Sequence, residues 1–204
     1  MFTTRTLRVI AVAALALGLA GAAAAQQFEI KRHLKIDNPA RLKPSESLSI
    51  YQSIADELSR GYAASKDKTA MNYRTWRLFN TAPYHSVTHG NRYVNNYANE
   101  KSYGKPGAVM PPGTIIAKDS FTVTADSAIF GGALFIMEKL APGASPETGD
   151  WRYAMIMPDG SFLGDSTGAN PGLVKFCHGC HKAKADDDYL YFLPEAYRVK
   201  FLGN

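Results

Sequence analysis

The sequence predicts an α+β fold, in which helix-forming and strand-forming segments occupy separate parts of the chain. After Pro44, apolar residues recur at helical spacing, and Ser45 is the expected N-cap of that helix. The middle of the chain is rich in strand-like alternation. Near the C-terminus, Asn170-Pro171 predicts the start of another helix, because proline favours the first helical turn.

Four strands are expected in the middle of the chain, over residues 91–97, 114–123, 133–140 and 151–157. The first and last of these place aromatic or long side chains on one parity, which is typical of a sheet with one packed face. Pro158-Asp159-Gly160 predicts a tight hairpin turn into a further strand. Residues 73–79 alternate aromatic and basic side chains and fit either a strand or a helix.

The first 25 residues have the pattern of an export leader. Arg5 and Arg8 precede a short alanine-rich apolar run, and Ala23-Ala24-Ala25 provides a cleavage site before Gln26. An uncleaved anchor is the alternative. We therefore expect a signal peptide at 1–25, an N-terminal extension with one helix at 26–72, and one domain at 73–204, with the mature protein in the periplasm and not stably associated with a membrane.

The charge of the chain is mildly basic. It is +5 for the 204 residues and about +3 without Arg5 and Arg8. This excess is too small to indicate nucleic-acid binding.

One motif carries specific chemistry, the run Cys177-His178-Gly179-Cys180-His181. C-x-x-C-H is the attachment sequence of a c-type haem, because two thiols one helical turn apart can each add to a porphyrin vinyl group. The histidine after the second thiol can then coordinate the iron. We predict one covalently attached haem c, with Cys177 and Cys180 as thioether anchors and His181 as the iron ligand. Bacteria attach this haem outside the inner membrane, which agrees with an export leader.

Three other interpretations of the motif remain open: a thioredoxin-like redox pair, a disulfide, and a zinc site that uses both cysteines and both histidines. The redox pair normally lies near the start of its fold, whereas this motif lies near the end. Four ligands within five residues cannot easily surround a tetrahedral zinc ion. No methionine follows His181, unlike in small helical electron carriers, and the strands exclude an all-helical cytochrome.

Residues 73–197 resemble the cytochrome P-460 family, which includes the sheet-rich cytochromes c-prime-beta. The resemblance rests on these segments: Tyr73-Arg74-Thr75-Trp76, Asn91-Arg92-Tyr93-Val94-Asn95, Pro112-Gly113-Thr114-Ile115-Ile116-Ala117-Lys118-Asp119, Phe130-Gly131-Gly132 through Met137-Glu138, Trp151-Arg152-Tyr153 and the C-x-x-C-H motif. It implies an antiparallel β-sheet with flanking helices and a C-terminal haem-binding helix, often in a homodimer.

The resemblance also implies roles for individual residues. The haem would be five-coordinate, with His181 on one side and the other side open. Lys118 stands where P-460 members join a lysine to the porphyrin, and Arg92 and Glu138 stand where polar distal residues occur. Without the resemblance, Lys118 fits a solvent-facing strand lysine, Glu138 an edge-strand residue, and Arg92 a surface or propionate ion pair.

The activity implied for P-460-like members is oxidation of hydroxylamine to nitrogen oxides. Glu138 would accept protons, Lys118 would tune the ring, and electrons would leave to a soluble acceptor such as another cytochrome. A c-prime-beta-like protein that binds nitric oxide without turnover is the alternative, and a six-coordinate electron carrier is the third possibility.

Several other residues have open interpretations. His85 and His89 are expected to be structural, although a histidine in this region could face the iron. Three methionines (Met137, Met155 and Met157) are expected to fill the core, and three phenylalanines (Phe121, Phe130 and Phe135) could form an apolar cap over the haem.

Overall fold

The structure of the protein is a computed structural model that describes residues 29–30, 37–102 and 108–200. The expected leader at 1–25 lies outside these residues. Within the described ranges, no helix is both long and apolar enough to cross a membrane.

The predicted N-terminal helix is α1 (Pro44–Ala63). Its first residue is Pro44, one residue before the expected cap, Ser45. Proline suits the first helical position because it has no backbone N–H that would need a hydrogen-bond acceptor. The backbone N–H of Lys43 donates to the Glu46 carboxylate at 2.7 Å. A five-residue helix, α2 (Lys68–Asn72), follows and is capped by the Asp67 side chain.

A single sheet of nine strands forms the centre of the described structure. The strands are β1 (Glu29–Ile30), β2 (Arg77–Leu78), β3 (Tyr84–Ser86), β4 (Arg92–Ala98), β5 (Ile115–Val123), β6 (Ile129–Gly131), β7 (Leu134–Lys139), β8 (Trp151–Ile156) and β9 (Phe162–Asp165). Strand β5 pairs with β4 along one edge. Along its other edge, the first half of β5 pairs with β7 and the second half pairs with β6. Every pairing is antiparallel except that of β1 with β6, and this confirms the α+β prediction.

The four long predicted strands correspond to β4, β5, β7 and β8. Residues 73–79, which fitted either a strand or a helix, form a 3-10 turn (Tyr73–Thr75) followed by the two-residue strand β2. The predicted hairpin turn is present, and Gly160 adopts a φ of +82° in it. Only glycine takes this conformation without strain.

The sheet has two different faces, because residues paired across neighbouring strands point to the same side. On the helix face, Ala117 and Phe121 of β5 pack under α1 through its buried residues Leu58, Tyr62 and Tyr51. On the cavity face, Ile116 and Lys118 of β5 point the other way, in register with Met137 and Phe135 of β7.

The cavity face is covered by the C-terminal part of the chain. A 3-10 turn (Pro171–Val174) leads directly into α3 (Lys175–His181), so the predicted C-terminal helix is present. Residues 188–199, which we call the C-terminal strap, then return across the sheet to β2 and β3. The strap is held there by the N–H of Val199, which donates to the Phe79 carbonyl at 3.0 Å.

Candidate functional site

Helix α3 presents both thiols of the C-x-x-C-H motif to a cavity. Cys177 and Cys180 are three residues apart in one helix, so both lie on the same side of it. Both are free thiols; Cys177 is half-buried and Cys180 is exposed. The two cysteines and His181 all line one cavity of about 510 Å³ between α3 and the sheet, a volume in the range of small-molecule and cofactor sites.

His181 is held in the orientation that a metal ligand needs. Its ring is nearly buried, with 9% of the residue exposed. Nδ1 lies 2.7 Å from the Tyr189 carbonyl oxygen, so Nδ1–H donates and Nε2 keeps its lone pair. Burial, together with the charges of Lys118 and His178, outweighs this hydrogen bond and lowers the pKa of His181 to about 4. The imidazole is therefore neutral near pH 7, as metal coordination requires.

Lys118 lies in the same cavity as His181. It sits on the cavity face of β5, opposite Asn96 of β4 and Phe135 of β7. Burial among protein atoms lowers the pKa of its amine to about 8. About one-tenth of the amine is then neutral at pH 7, compared with less than one-thousandth for an ordinary lysine. A second cavity of about 310 Å³ is also lined by Lys118 and His181, so both residues stand where the two spaces meet.

Glu138 lies outside the cavity, and this corrects its expected placement. In β7 it neighbours Met137 and therefore points to the helix face, opposite Ile115 and Arg152. Its carboxylate accepts a hydrogen bond from Arg152 Nη1 at 2.7 Å. A group that takes protons from a ligand in the cavity must reach into it, so Glu138 has no part in the function proposed below.

Arg92 is also outside the cavity walls. It is fully buried, which excludes a surface ion pair. It lies four residues before Asn96 in β4, so it is about 13 Å along the strand from the level of Lys118. Its side chain packs beside Gly132, where a Cβ atom would lie 2.7 Å from Arg92 Cδ. Contact with a distal ligand in the cavity is therefore not supported by this position.

His89, which the sequence favoured as structural, lines the cavity instead. It ends a 3-10 turn (Val87–His89) between β3 and β4. Its Nδ1 lies 2.7 Å from Ser86 Oγ, and its ring meets that of Phe135 edge-on at 4.9 Å. His85 differs, since it contacts Arg41 and the Tyr93 ring and is not part of the cavity wall.

The apolar part of the wall contains one of the three expected phenylalanines, Phe135. Phe121 is buried on the helix face between Tyr51 and Tyr93, and Phe130 is buried in β6. Met137 lines both cavities, whereas Met155 and Met157 pack in the core as expected.

Tyr153 and Tyr191 also line the cavity. Tyr153 is 2% exposed, and its hydroxyl has no hydrogen-bond partner among the described residues. Tyr191 is half-exposed and packs edge-on against His181 at 5.5 Å. The parity of β8 could have identified Tyr153, but the irregular strap that carries Tyr191 has no periodic pattern.

These residues fit a haem better than a thioredoxin-like redox pair or a zinc ion. Burial raises the pKa of the Cys177 thiol to about 12, and so disfavours the thiolate that a thioredoxin-like pair needs. Within the described part of the chain, no group of three or more His, Cys, Asp or Glu side chains is arranged to hold a metal ion, which argues against zinc. The orphaned Tyr153 hydroxyl instead indicates a polar group of a bound molecule.

Comparison with known proteins agrees with this site. The family model Cytochrome P460 matches residues 70–192, which include every strand from β2 to β9, α3 and the C-x-x-C-H motif. No curated protein and no solved structure matches the chain. Because the match covers more than half of the sequence and contains the cavity residues Lys118, Cys177 and His181, the chain belongs to the cytochrome P460 family.

Proposed function

We propose that the protein is a periplasmic haem enzyme that oxidises hydroxylamine to nitrogen oxides. Cys177 and Cys180 would hold one haem c through thioethers, and His181 Nε2 would bind its iron. Bound in this way, the haem would supply a redox-active iron with one open coordination position. The observation that carries the proposal is the position of Lys118, which shares the His181 cavity and has a lowered pKa.

Lys118 is the residue that would make the site similar to that of P-460 members, in which a lysine is joined to the porphyrin. Since burial keeps part of the amine neutral, Nζ carries a lone pair that can face the porphyrin ring. A cross-link there would replace one N–H and one ring C–H with a C–N bond, so it would need a two-electron oxidant such as a peroxide to take up the two hydrogens. Such a cross-link would hold the ring in one place relative to β5 and change its electronic structure. A lysine exposed on a strand would stay protonated and could do neither.

His89 takes the place of Glu138 as proton acceptor in this proposal. Oxidation of hydroxylamine releases protons together with electrons, and a side chain in the cavity that accepts protons would assist it. His89 is such a side chain, and Ser86 and Phe135 fix its ring. The imidazole ring has a nitrogen lone pair that can accept a proton, which suits the role.

Turnover by the holoprotein tests the proposal. The protein is purified from a host with haem-maturation machinery and supplied with hydroxylamine and an artificial electron acceptor. We expect turnover by the wild type and at least a hundredfold lower kcat in Lys118→Leu. Lys101→Leu, which removes an exposed lysine outside the cavity, is the matched control. The proposal fails if the wild type holds its haem and does not turn over, or if Lys118→Leu is as active as the wild type.

One observation favours a second function, the binding of nitric oxide without turnover. No carboxylate is among the described residues that line the cavity, whereas Phe135 and Ile116 give it apolar walls. Such a lining suits a neutral diatomic ligand. A five-coordinate protein that binds nitric oxide and is inert to hydroxylamine would support this function. Ligation by Met137 would instead give six-coordinate low-spin iron and an electron carrier.

The partners belong to the same proposal. Electrons would leave to a soluble acceptor such as another cytochrome, and two copies of the chain would form a homodimer. Export to the periplasm is supported by the leader pattern at 1–25 and by the site of haem attachment in bacteria.

A further inference from the structure

A buried ion pair joins the sheet to the first residue of the C-terminal strap. Lys139 ends β7 on the cavity face, and its Nζ lies 2.5 Å from Oδ1 of Asp188, with 8% and 6% of the two side chains exposed. Lys139 also donates to the Gly149 carbonyl at 2.8 Å. The other oxygen of Asp188 accepts the backbone N–H of Met110 at 2.7 Å. Each member of the pair therefore has a further hydrogen bond inside the protein.

Such a pair is an inefficient way to gain stability. Removing two charges from water carries a large desolvation penalty, and a well-packed apolar pair often stabilises a fold as well. In some proteins, a buried ionic or polar group selects one geometry over others. For the Lys139–Asp188 pair, the geometry that can be selected is that of the chain around Asp188.

The chain makes an unusual turn at the start of the strap. Asp188 and Tyr189 adopt φ values of +52° and +65°, two consecutive left-handed residues that are not glycine. The left-handed conformation is unfavourable for residues that carry a Cβ atom, so the surrounding contacts must impose it on both. The carbonyl of Asp188 is fixed by Trp151 Nε1–H at 2.9 Å. The ring of Tyr189 packs on Gly149, where a Cβ atom would lie 2.1 Å from Tyr189 Cε2.

This turn determines the direction in which the Tyr189 carbonyl group points. The Tyr189 oxygen accepts the Nδ1–H of His181 at 2.7 Å. The residue whose carbonyl orients His181 therefore directly follows the aspartate of the ion pair. Tyr153 packs against the His181 ring at 5.6 Å and does not replace that hydrogen bond.

We propose that Lys139 and Asp188 are positioning residues that direct the Tyr189 carbonyl at His181 Nδ1 and thereby set how strongly Nε2 donates to a haem iron. This inference rests on the role of His181 as iron ligand and does not depend on hydroxylamine turnover. A hydrogen bond at Nδ1 makes imidazole a stronger donor and favours the oxidised metal. Loss of the ion pair should therefore favour the reduced state.

The test uses the holoprotein with two single substitutions, Asp188→Asn and Lys139→Met. Asp188→Asn keeps an oxygen for the N–H of Met110 and the backbone carbonyl for Trp151, so it is the variant expected to fold. The measurements are the iron–histidine stretching frequency of the reduced protein and the midpoint potential. We expect a lower frequency in both variants and an oxidation equilibrium changed about tenfold towards the reduced form, which is about 59 mV for one electron.

Arg152→Met is the matched control. It removes ion pairs to Glu138 and Asp165 from the opposite face of the same region of the sheet. It should leave both measurements unchanged. Wild-type frequency and potential in folded Asp188→Asn would overturn the inference, and so would an equal change in Arg152→Met. If His181→Ala keeps the wild-type spectrum, the ligand assignment in the proposed function has failed instead.

Discussion

Asp119 provides a prediction that depends on the fold and not on the haem. It follows Lys118 in β5, but it points to the helix face and is fully buried. Its carboxylate accepts hydrogen bonds from Tyr51 at 2.5 Å, Tyr73 at 3.1 Å and Asn95 at 3.1 Å. Burial raises its pKa from 3.8 to about 6, although these hydrogen bonds and Arg74 act in the opposite direction.

The pH dependence follows from the direction of this change. Below pH 3.8 the carboxyl is protonated in both the folded and the unfolded chain. Between pH 3.8 and 6 the folded chain keeps a proton that the unfolded chain has lost, so stability falls as the pH rises. Above pH 6 the carboxyl is ionised in both the folded and the unfolded chain, and the full loss of stability from burying its charge remains. A pKa change from 3.8 to about 6 corresponds to about 3 kcal/mol.

Asp119→Asn isolates this contribution, because the amide has the same shape and cannot ionise. We would measure urea unfolding of the wild type and the variant from pH 3.5 to 7.5. The free energy of unfolding of the wild type, minus that of the variant, should fall by about 3 kcal/mol across this range. A difference that stays constant or rises would show that the three hydrogen bonds outweigh burial, which would refute the reasoning.

Three further predictions concern the cavity, the thiols and the helix packing. Glu138→Gln should keep hydroxylamine turnover within about twofold of the wild type, whereas His89→Phe should lower kcat at least about a hundredfold; the reverse order in a steady-state assay would restore Glu138 as the base. In a Lys118→Leu background, which removes the proposed cross-link, a Cys177→Ala, Cys180→Ala variant should release its haem into acidified organic solvent while Lys118→Leu alone retains it, and haem lost equally from both would exclude thioether attachment. Gly61→Ala should lower the free energy of unfolding by about 2 kcal/mol, although alanine has the higher helix propensity. The reason is that a Cβ atom at this position would lie 1.9 Å from the Pro158 carbonyl oxygen. The exposed control Gln52→Ala should change this free energy by less than about 0.5 kcal/mol, and equal effects in thermal or urea unfolding would contradict the close approach.

The long elements of the fold were predictable because they carry a period. Helix α1 and the strands β4, β5, β7 and β8 each span six residues or more, enough for alternation or helical spacing to be recognised. The strands β2, β3 and β6 contain two or three residues and have no period to detect. Their positions depend on pairing with β4 and β5, which is a tertiary property.

The candidate site was predictable where covalent chemistry fixes the spacing. Cys177, Cys180 and His181 are adjacent in one helix, so their grouping follows from the sequence alone. Glu138 shows where such reasoning stops, because a shift of one residue in register moves a side chain to the opposite face of the sheet. Its neighbour Lys139 is the charged residue that points to the cavity face.

His89 and Arg92 show the same limit in another form. His89 lies in a three-residue turn, and only the pairing of β3 with β4 carries it to the cavity. Arg92 has the same parity as the cavity residues, yet it lies too far along β4 to reach them. Parity gives the face of a sheet, whereas position along the strand requires the register of the neighbouring strands.

The most direct test of the proposed function is an optical spectrum of the dithionite-reduced holoprotein beside Lys118→Leu. Lys118 shares its cavity with His181 and has an amine that is partly neutral at pH 7. We predict a broad and strongly red-shifted Soret band in the wild type that reverts to an ordinary c-type band in the variant. An ordinary ferrous c-type spectrum, identical in both proteins, would contradict the cross-link and leave gas binding or electron transfer as the function.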